Sequence, residues 1–186
     1  MTDRPLTDSV RLALPAEADQ IAAIQRRSWQ QVLVADAADT LLSGVTTGEM
    51  TQAWHRAIAR PPQARFRVLV ALDAAVDRLA GFATTVPSQD ADADPDDGAV
   101  DEFAIDPPAQ RRGHGSRLLN ACVDTLRADG FTRARWWVAT DNDPLRTFLT
   151  EAGWAPDGAY REIGDDEQGR QIRIRQVRLH TYIAQP

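Results

Sequence analysis

The chain is predicted to be a mixed α/β protein, a mixed sheet with helices on both faces. Three observations predict it. Strand-like and helix-like runs follow one another in the order β-α-α-β-β-β-α-β-α-β-β, which a layered α/β domain requires. Two polar turns, Asp73 to Arg78 and Gly164 to Gly169, each join two strand-like runs and read as antiparallel hairpins. Finally, a strand at Glu102 to Asp106 runs into Pro107-Pro108, which have no N–H to donate to a ladder, and then into a glycine-bearing turn and an amphipathic helix starting near Ser116.

Length and composition fit one domain over residues 1–186: the chain has 186 residues, 43% hydrophobic and 26% charged, enough for a well-buried core. All of the basic residues counted as Lys+Arg are arginine. Without lysine, a Walker-type phosphate loop and Schiff-base catalysis lack their central residue. A net charge of −6 disfavours nucleic acid as a partner. The single cysteine, Cys122, allows no intramolecular disulfide and falls among the apolar positions of a helix, so packing is its expected role. No leader and no apolar run long enough for a bilayer is evident, so a cytoplasmic protein without a membrane partner is expected.

In chain order, Met1 to Ser9 reads as a loosely held tail, and Val10 to Leu14 as a first strand stopped by Pro15. A helix follows from Glu17, with Ile21, Ile24, Trp29, Val32 and Leu33 at helical spacing. A second helix is predicted from about Thr47 to Ala59, ended by Pro61-Pro62. Trp29 and Trp54, with His55 beside the latter, are candidates for lining a substrate pocket, because indole offers a large apolar wall with one polar handle; core packing is the competing role. Phe66 to Leu72 and Leu79 to Val86 form the first hairpin.

Ser88 to Gly98 is acidic and low in complexity, and reads as a solvated, mobile loop. Its alternating Asp90, Asp92 and Asp94 resemble the start of a calcium loop, but the glycine and glutamate required later fall at Pro95 and Asp101. No metal site is expected there, and the three histidines lack metal-ligand spacing. Past the glycine turn, Leu118, Leu119, Cys122, Val123 and Leu126 share a helical face ended by Gly130. Ala134 to Thr140 is the next buried strand, and Asp143-Pro144 opens a helix with Leu145, Phe148, Leu149 and Ala152 as its stripe. The last hairpin pairs Tyr160 to Ile163 with Arg170 to Tyr182, and a parity shift predicts a bulge near Arg175-Gln176.

The turn Gln110-Arg111-Arg112-Gly113-His114-Gly115 carries the most chemical information. Two glycines permit positive φ and close approach, so successive amides can converge on one anion at the following helix N-terminus. Arg111, Arg112 and Arg117 add a local positive cluster at a helix start, where the dipole favours acids, and so suggest an anionic ligand. Gln110, Gly113 and Gly115, with Asn142, Phe148, Gly153 and Trp154 downstream, resemble the two signature blocks of the GNAT family of N-acetyltransferases.

The resemblance implies that family's fold, a twisted, mostly antiparallel sheet whose central strands splay, with acetyl-CoA as co-substrate. It implies pantetheine binding along Phe103, Ala104 and Ile105, pyrophosphate contacts from the amides of Arg111, Arg112, Gly113, His114, Gly115 and Ser116, and Asn142 near the pantetheine. The acceptor would be the primary amine of a small molecule, and a homodimer would use an exposed edge such as the last strand. Attack on the thioester needs a neutral amine and hence a base; Glu102 is the first choice and Asp101 the second, with strand alternation expected to turn only one of them to the pocket.

One departure stands out. The family often has a tyrosine after the phenylalanine of the second block, whose hydroxyl can protonate the leaving thiolate, and here Leu149 stands there. Tyr160, Ser116 or water would have to replace it, the thiolate would leave unprotonated, or the chain would bind an acyl-CoA without efficient transfer. A nicotinamide or flavin enzyme is disfavoured because the glycines are not followed by the third glycine of that fingerprint.

Overall fold

A computed structural model describes residues 8–32, 42–165 and 172–184. Residues 1–7 of the expected tail, Leu33 of the first apolar stripe and residues 166–171 around the last turn lie outside the described residues. The described strands are β1 (Ser9–Leu12), β2 (Arg67–Asp73), β3 (Arg78–Pro87), β4 (Asp97–Ile105), β5 (Arg133–Ala139), β6 (Ala155–Asp165) and β7 (Ile172–Tyr182). The helices are α1 (Ala18–Val32), α2 (Thr47–Ala59), α3 (His114–Ala128) and α4 (Asp143–Glu151).

The seven strands form one sheet in the order β1-β2-β3-β4-β5-β7-β6, so the last strand, expected at an exposed edge, is interior, paired on both sides, and the edges are β1 and β6. Every neighbouring pair is antiparallel except β4 with β5. Helices lie on both faces. Ile21 and Ile24 of α1, with Trp54 and Ile58 of α2, pack on Val68, Val70, Phe82 and Ala104. On the other face Leu118, Leu119, Cys122 and Leu126 of α3, with Leu149 of α4, cover Leu69, Val100, Trp136 and Leu179. The two-residue period of each strand divides its side chains between these cores.

Local chemistry sets the helix limits. Thr46 caps α2 by accepting from the Glu49 amide at 3.2 Å, while the Glu49 carboxylate accepts from the Thr46 amide at 2.8 Å. This reciprocal box satisfies two donors that the first turn would otherwise leave orphaned, and starts the helix where the sequence predicts. For α4 the cap is Asn142, one residue before the predicted Asp143, with its Oδ1 accepting from the Leu145 amide at 3.2 Å. The second arm of the last hairpin is regular at Arg175 and Gln176; the irregularity falls instead between Pro156 and Tyr160 of β6, beside Gly158 with φ of 89°.

The acidic segment 88–97 takes the place of a helix over β5 and β7. Arg135, Trp137 and Arg178 project from these strands on the face opposite Trp136 and Leu179. Asp90 and Asp92 accept from Arg178 at 2.9 and 2.6 Å, Asp92 accepts from Arg135 at 3.0 Å, and Asp90 accepts from the Trp137 indole at 2.8 Å. Asp97 is held by Arg133 at 2.6 Å. The segment expected to be solvated and mobile is therefore tied to the sheet, because arginines distant in sequence meet its aspartates. The cations on its alternate acids are guanidinium groups.

Candidate active site

The parallel register of β4 with β5 runs from Asp97↔Arg133 to Val100↔Trp136 and goes no further. Beyond Val100 the two strands part. β4 continues beside β3 with Phe103↔Ala83, Ala104↔Phe82 and Ile105↔Gly81. The Asp106 amide donates to the Ala80 carbonyl at 2.8 Å, so alternate backbone groups, those of Phe103 and Ile105, face the gap left by β5. The Gln110 side chain reaches the Ile105 carbonyl at 3.2 Å and exchanges a 2.8 Å bond with Gln31 of α1. Arg27 of α1 grips Asp106 at 2.7 and 2.9 Å, fixing the turn after the strand.

At the parting, β4 carries a bulge. Ala83 pairs with Phe103 and Thr85 with Val100, so Asp101 and Glu102 together oppose Thr84. The Glu102 amide donates to the Thr84 hydroxyl at 2.9 Å. Val100 and Phe103 both pack in the core under α3, which leaves Asp101 and Glu102 on the opposite face. Strand alternation predicts that only one of the pair faces the pocket; the extra residue of the bulge cancels the alternation. Asp101 is exposed and Glu102 half-buried behind it.

Burial pushes the Glu102 carboxyl up to about 7, helped by the neighbouring Asp101 charge and opposed by a hydrogen bond from Gln25. Gln25 is itself buried and accepts from the Trp54 indole at 2.8 Å. Trp54, Gln25 and Glu102 thus form a connected row. Gln25 and Trp54 also line, with Trp29, Val45 and Met50, a cavity of about 450 Å³ between α1 and α2. The structure brings both candidate tryptophans to one cavity, with Trp54 also packing edge-on to Phe82 at 5.0 Å. Gln25 was missed in the sequence because a glutamine among apolar helix positions carries no motif.

The turn into α3 has alternating left-handed residues, Arg111 at φ 61° and Gly113 at φ 85°. Such alternation gathers amides into a concave anion-binding nest at the N-terminus of α3. Gly115 bears on the fit of a coenzyme. A Cβ there would sit 3.7 Å from Ile105 and 3.9 Å from Phe148, in ordinary contact with both. Protein packing does not exclude it; a side chain at this position would occupy space between the end of β4 and α4. Amide nest, open floor and unladdered backbone fit the pyrophosphate and pantetheine of a coenzyme A thioester.

Side chains at the turn differ from expectation. Arg112 bonds Asp73 at 2.5 Å and Arg117 reaches Asp8 at 3.1 Å, so two of the three cations expected to await phosphate have protein partners. The ends of β1 and β2 bring those acids in from far away in sequence. His114 is buried beneath the turn, 3.8 Å from Asp73 and 4.0 Å from Asp8, so the turn offers its amide and not its ring. Asp8, Asp73 and His114 form the one group among the described residues that could hold a metal ion, and both carboxylates already face arginines. Ser116 is exposed on the first turn of α3. Asn142 caps α4, and Leu149 is fully buried in the core and has no proton to give. Tyr160, 85% exposed, faces away from its neighbour Arg161 by strand alternation.

Parted parallel strands, an amide nest beside them and a titratable carboxylate at the parting make one cleft across the sheet. The acetyltransferase (GNAT) family model matches residues 24–154, and the chain belongs to that family. Over 109 residues, 58% of this chain, it is 30% identical to the phosphinothricin N-acetyltransferase of Streptomyces coelicolor. Over 67 residues, 36% of this chain, it is 31% identical to the mycothiol acetyltransferase of Beutenbergia cavernae. These matches span 62% and 23% of the two relatives. Among solved structures, yncA of Salmonella typhimurium, which carries acetyl-CoA, superposes with a TM-score of 0.69 at 15% identity, over 97% of this chain and 96% of that one.

Proposed function

We propose that this chain transfers an acetyl group from acetyl-CoA to the primary amine of a small-molecule acceptor, by direct attack in a ternary complex. The observation that carries the reading is Glu102, placed by the bulge at the parting of β4 and β5 with its carboxyl near neutrality. An alkylammonium is mostly protonated at pH 7, and a base of this strength can relieve it of a proton directly or through water. Asp101, beside it, attracts the ammonium form.

Acetyl-CoA supplies an acyl group already activated as a thioester. The chain's own groups do the rest. The nest from Arg111 to Ser116 holds the pyrophosphate, and Asn142 stands near the pantetheine. The backbone of Phe103 to Ile105 aligns the pantetheine and polarises the thioester carbonyl, as fixed donors do best where charge develops. Trp29 and Trp54 form the apolar wall for the acceptor, and Gln25 holds the Glu102 carboxylate in place. The relatives' names put amines among the acceptors: phosphinothricin in one case.

A second reading, an acyl-CoA-binding domain without transfer, is favoured by one observation, the burial of Leu149 where a proton donor is often found. Release of coenzyme thiol from acetyl-CoA across a panel of primary amines, with coenzyme binding followed by thermal shift in the same wells, separates the two. Amine-dependent release is the expected result. Thermal stabilisation without release for any amine would favour the binding domain.

A further inference from the structure

Trp137 is the first residue of β5 beyond the last β4–β5 pair, and it faces the same side of the sheet as Asp101 and Glu102. Its ring is fixed: the indole donates to Asp90 at 2.8 Å and Arg178 lies 5.4 Å from the ring centre. On it rests the guanidinium of Arg161 from β6, 4.3 Å from the ring centre, with its Nε donating to Gln176 at 2.7 Å.

The other arginines on this face are consumed by carboxylates. Arg133, Arg135 and Arg178 each bond aspartates within 3.5 Å, whereas among the described residues Arg161 makes no ion pair. Asp90 and Asp101 act on it through space, and their attraction does not offset what burial costs its charge, so the Arg161 pKa lies below the usual arginine value. Stacking and the Gln176 bond hold the plane of the guanidinium and leave its terminal nitrogens as a two-pronged donor. Such a fork matches a carboxylate.

We propose that Arg161 selects the acceptor: it receives the carboxylate of an amino-acid-type amine whose nitrogen lies at Asp101 and Glu102, across the parted strands. This rests on the transfer reading above and names its substrate class. The acids at the parting would hold the ammonium end and Trp137 the apolar middle. An acceptor with two or more amines and no acid would leave Arg161 without a partner.

The test compares amino acids with their decarboxylated amines as acceptors, for the natural chain and for Arg161→Gln, Arg161→Lys and Arg173→Gln. Arg173 is a nearby arginine of β7 already paired with Glu162 at 3.0 Å. For Arg161→Gln, KM for amino acids should rise roughly ten- to a hundredfold with kcat little changed, as expected for losing a charged hydrogen-bonded pair. KM for the decarboxylated amines should not move, Arg161→Lys should lose less, and Arg173→Gln should behave as the natural chain. Equal or better turnover of decarboxylated amines by the natural chain overturns the inference and leaves acetyl transfer standing. So does an Arg161→Gln effect that is the same for both acceptor classes. Calorimetry with coenzyme A bound gives an independent readout. Amino-acid binding that Arg161→Gln abolishes supports carboxylate recognition even if no amine is turned over, a result that would sink the transfer reading alone; no binding and no turnover of amino acids overturns the inference.

Discussion

A carboxyl that titrates near neutrality does so for reasons that single substitutions can reverse. At Glu102, burial and the Asp101 charge disfavour the ionised form, and the Gln25 hydrogen bond favours it. Asp101→Asn should therefore move the pH dependence of activity downward, and Gln25→Leu should move it upward, both read from kcat/KM against pH. The sign for stability follows from the same shift. The folded state binds this proton more tightly than the unfolded chain, whose carboxyl titrates near 4.5, so the contribution is present below that value and lost as pH rises through about 7. Glu102 could be chosen from the sequence because it is a carboxylate on the strand before the glycine turn. The bulge could not be foreseen, since no glycine marks it and the shift shows only against β3. Gln25 was equally hidden.

The turn and α3 act as one element whose glycines have separable roles. Gly113 needs its positive φ, whereas Gly115 leaves space. Gly115→Leu should keep a thermal midpoint close to that of the natural chain, yet lower coenzyme A affinity at least about tenfold, because the side chain enters the cleft between Ile105 and Phe148. A large fall in stability with unchanged affinity would show that Gly115 serves packing instead. Helix limits were legible to about a residue where caps are local: Thr46 and Glu49 lie three residues apart and start α2 as read, while α4 is capped by Asn142 one residue before the expected Asp143. Partners of Arg112 and Arg117 were not legible, because Asp73 and Asp8 reach the turn only once β1 and β2 are laid beside α3.

Across the whole molecule, the segment from Asp90 to Asp97 clamps the half of the sheet that, among the described residues, no helix covers on that face. Arg178 is its centre, buried and bonded to Asp90, Asp92 and Asp157 at 2.9, 2.6 and 2.7 Å. Arg178→Met should destabilise the chain by about 3 kcal/mol, since among the described residues it leaves Asp157 without a cation and Asp90 and Asp92 with Arg135 alone. For a chain of this size that is roughly 6–12 °C in thermal midpoint. Against the cost of burial, the Trp137 indole at Asp90 and the arginines at Asp90, Asp92 and Asp97 hold these carboxyls below their usual range, so this stabilisation is present above about pH 4 and lost as pH falls further. A midpoint unchanged by Arg178→Met would contradict the clamp. Composition alone made this segment look loose, because its partners lie 36 to 88 residues away. The strand and helix order, by contrast, was readable from periodicity and turns.

The most direct test of acetyl transfer through Glu102 is the pH dependence of kcat/KM for one turned-over amine, measured for the natural chain and for Glu102→Gln with coenzyme affinity followed alongside. For the natural chain, kcat/KM should climb about tenfold per pH unit below an inflection near 7 and then level, after the amine's own ionisation is allowed for. Glu102→Gln should lose that inflection and fall by roughly a hundredfold or more at pH 8, with coenzyme affinity little changed. A variant that keeps both the rate and the inflection would contradict Glu102 as the base.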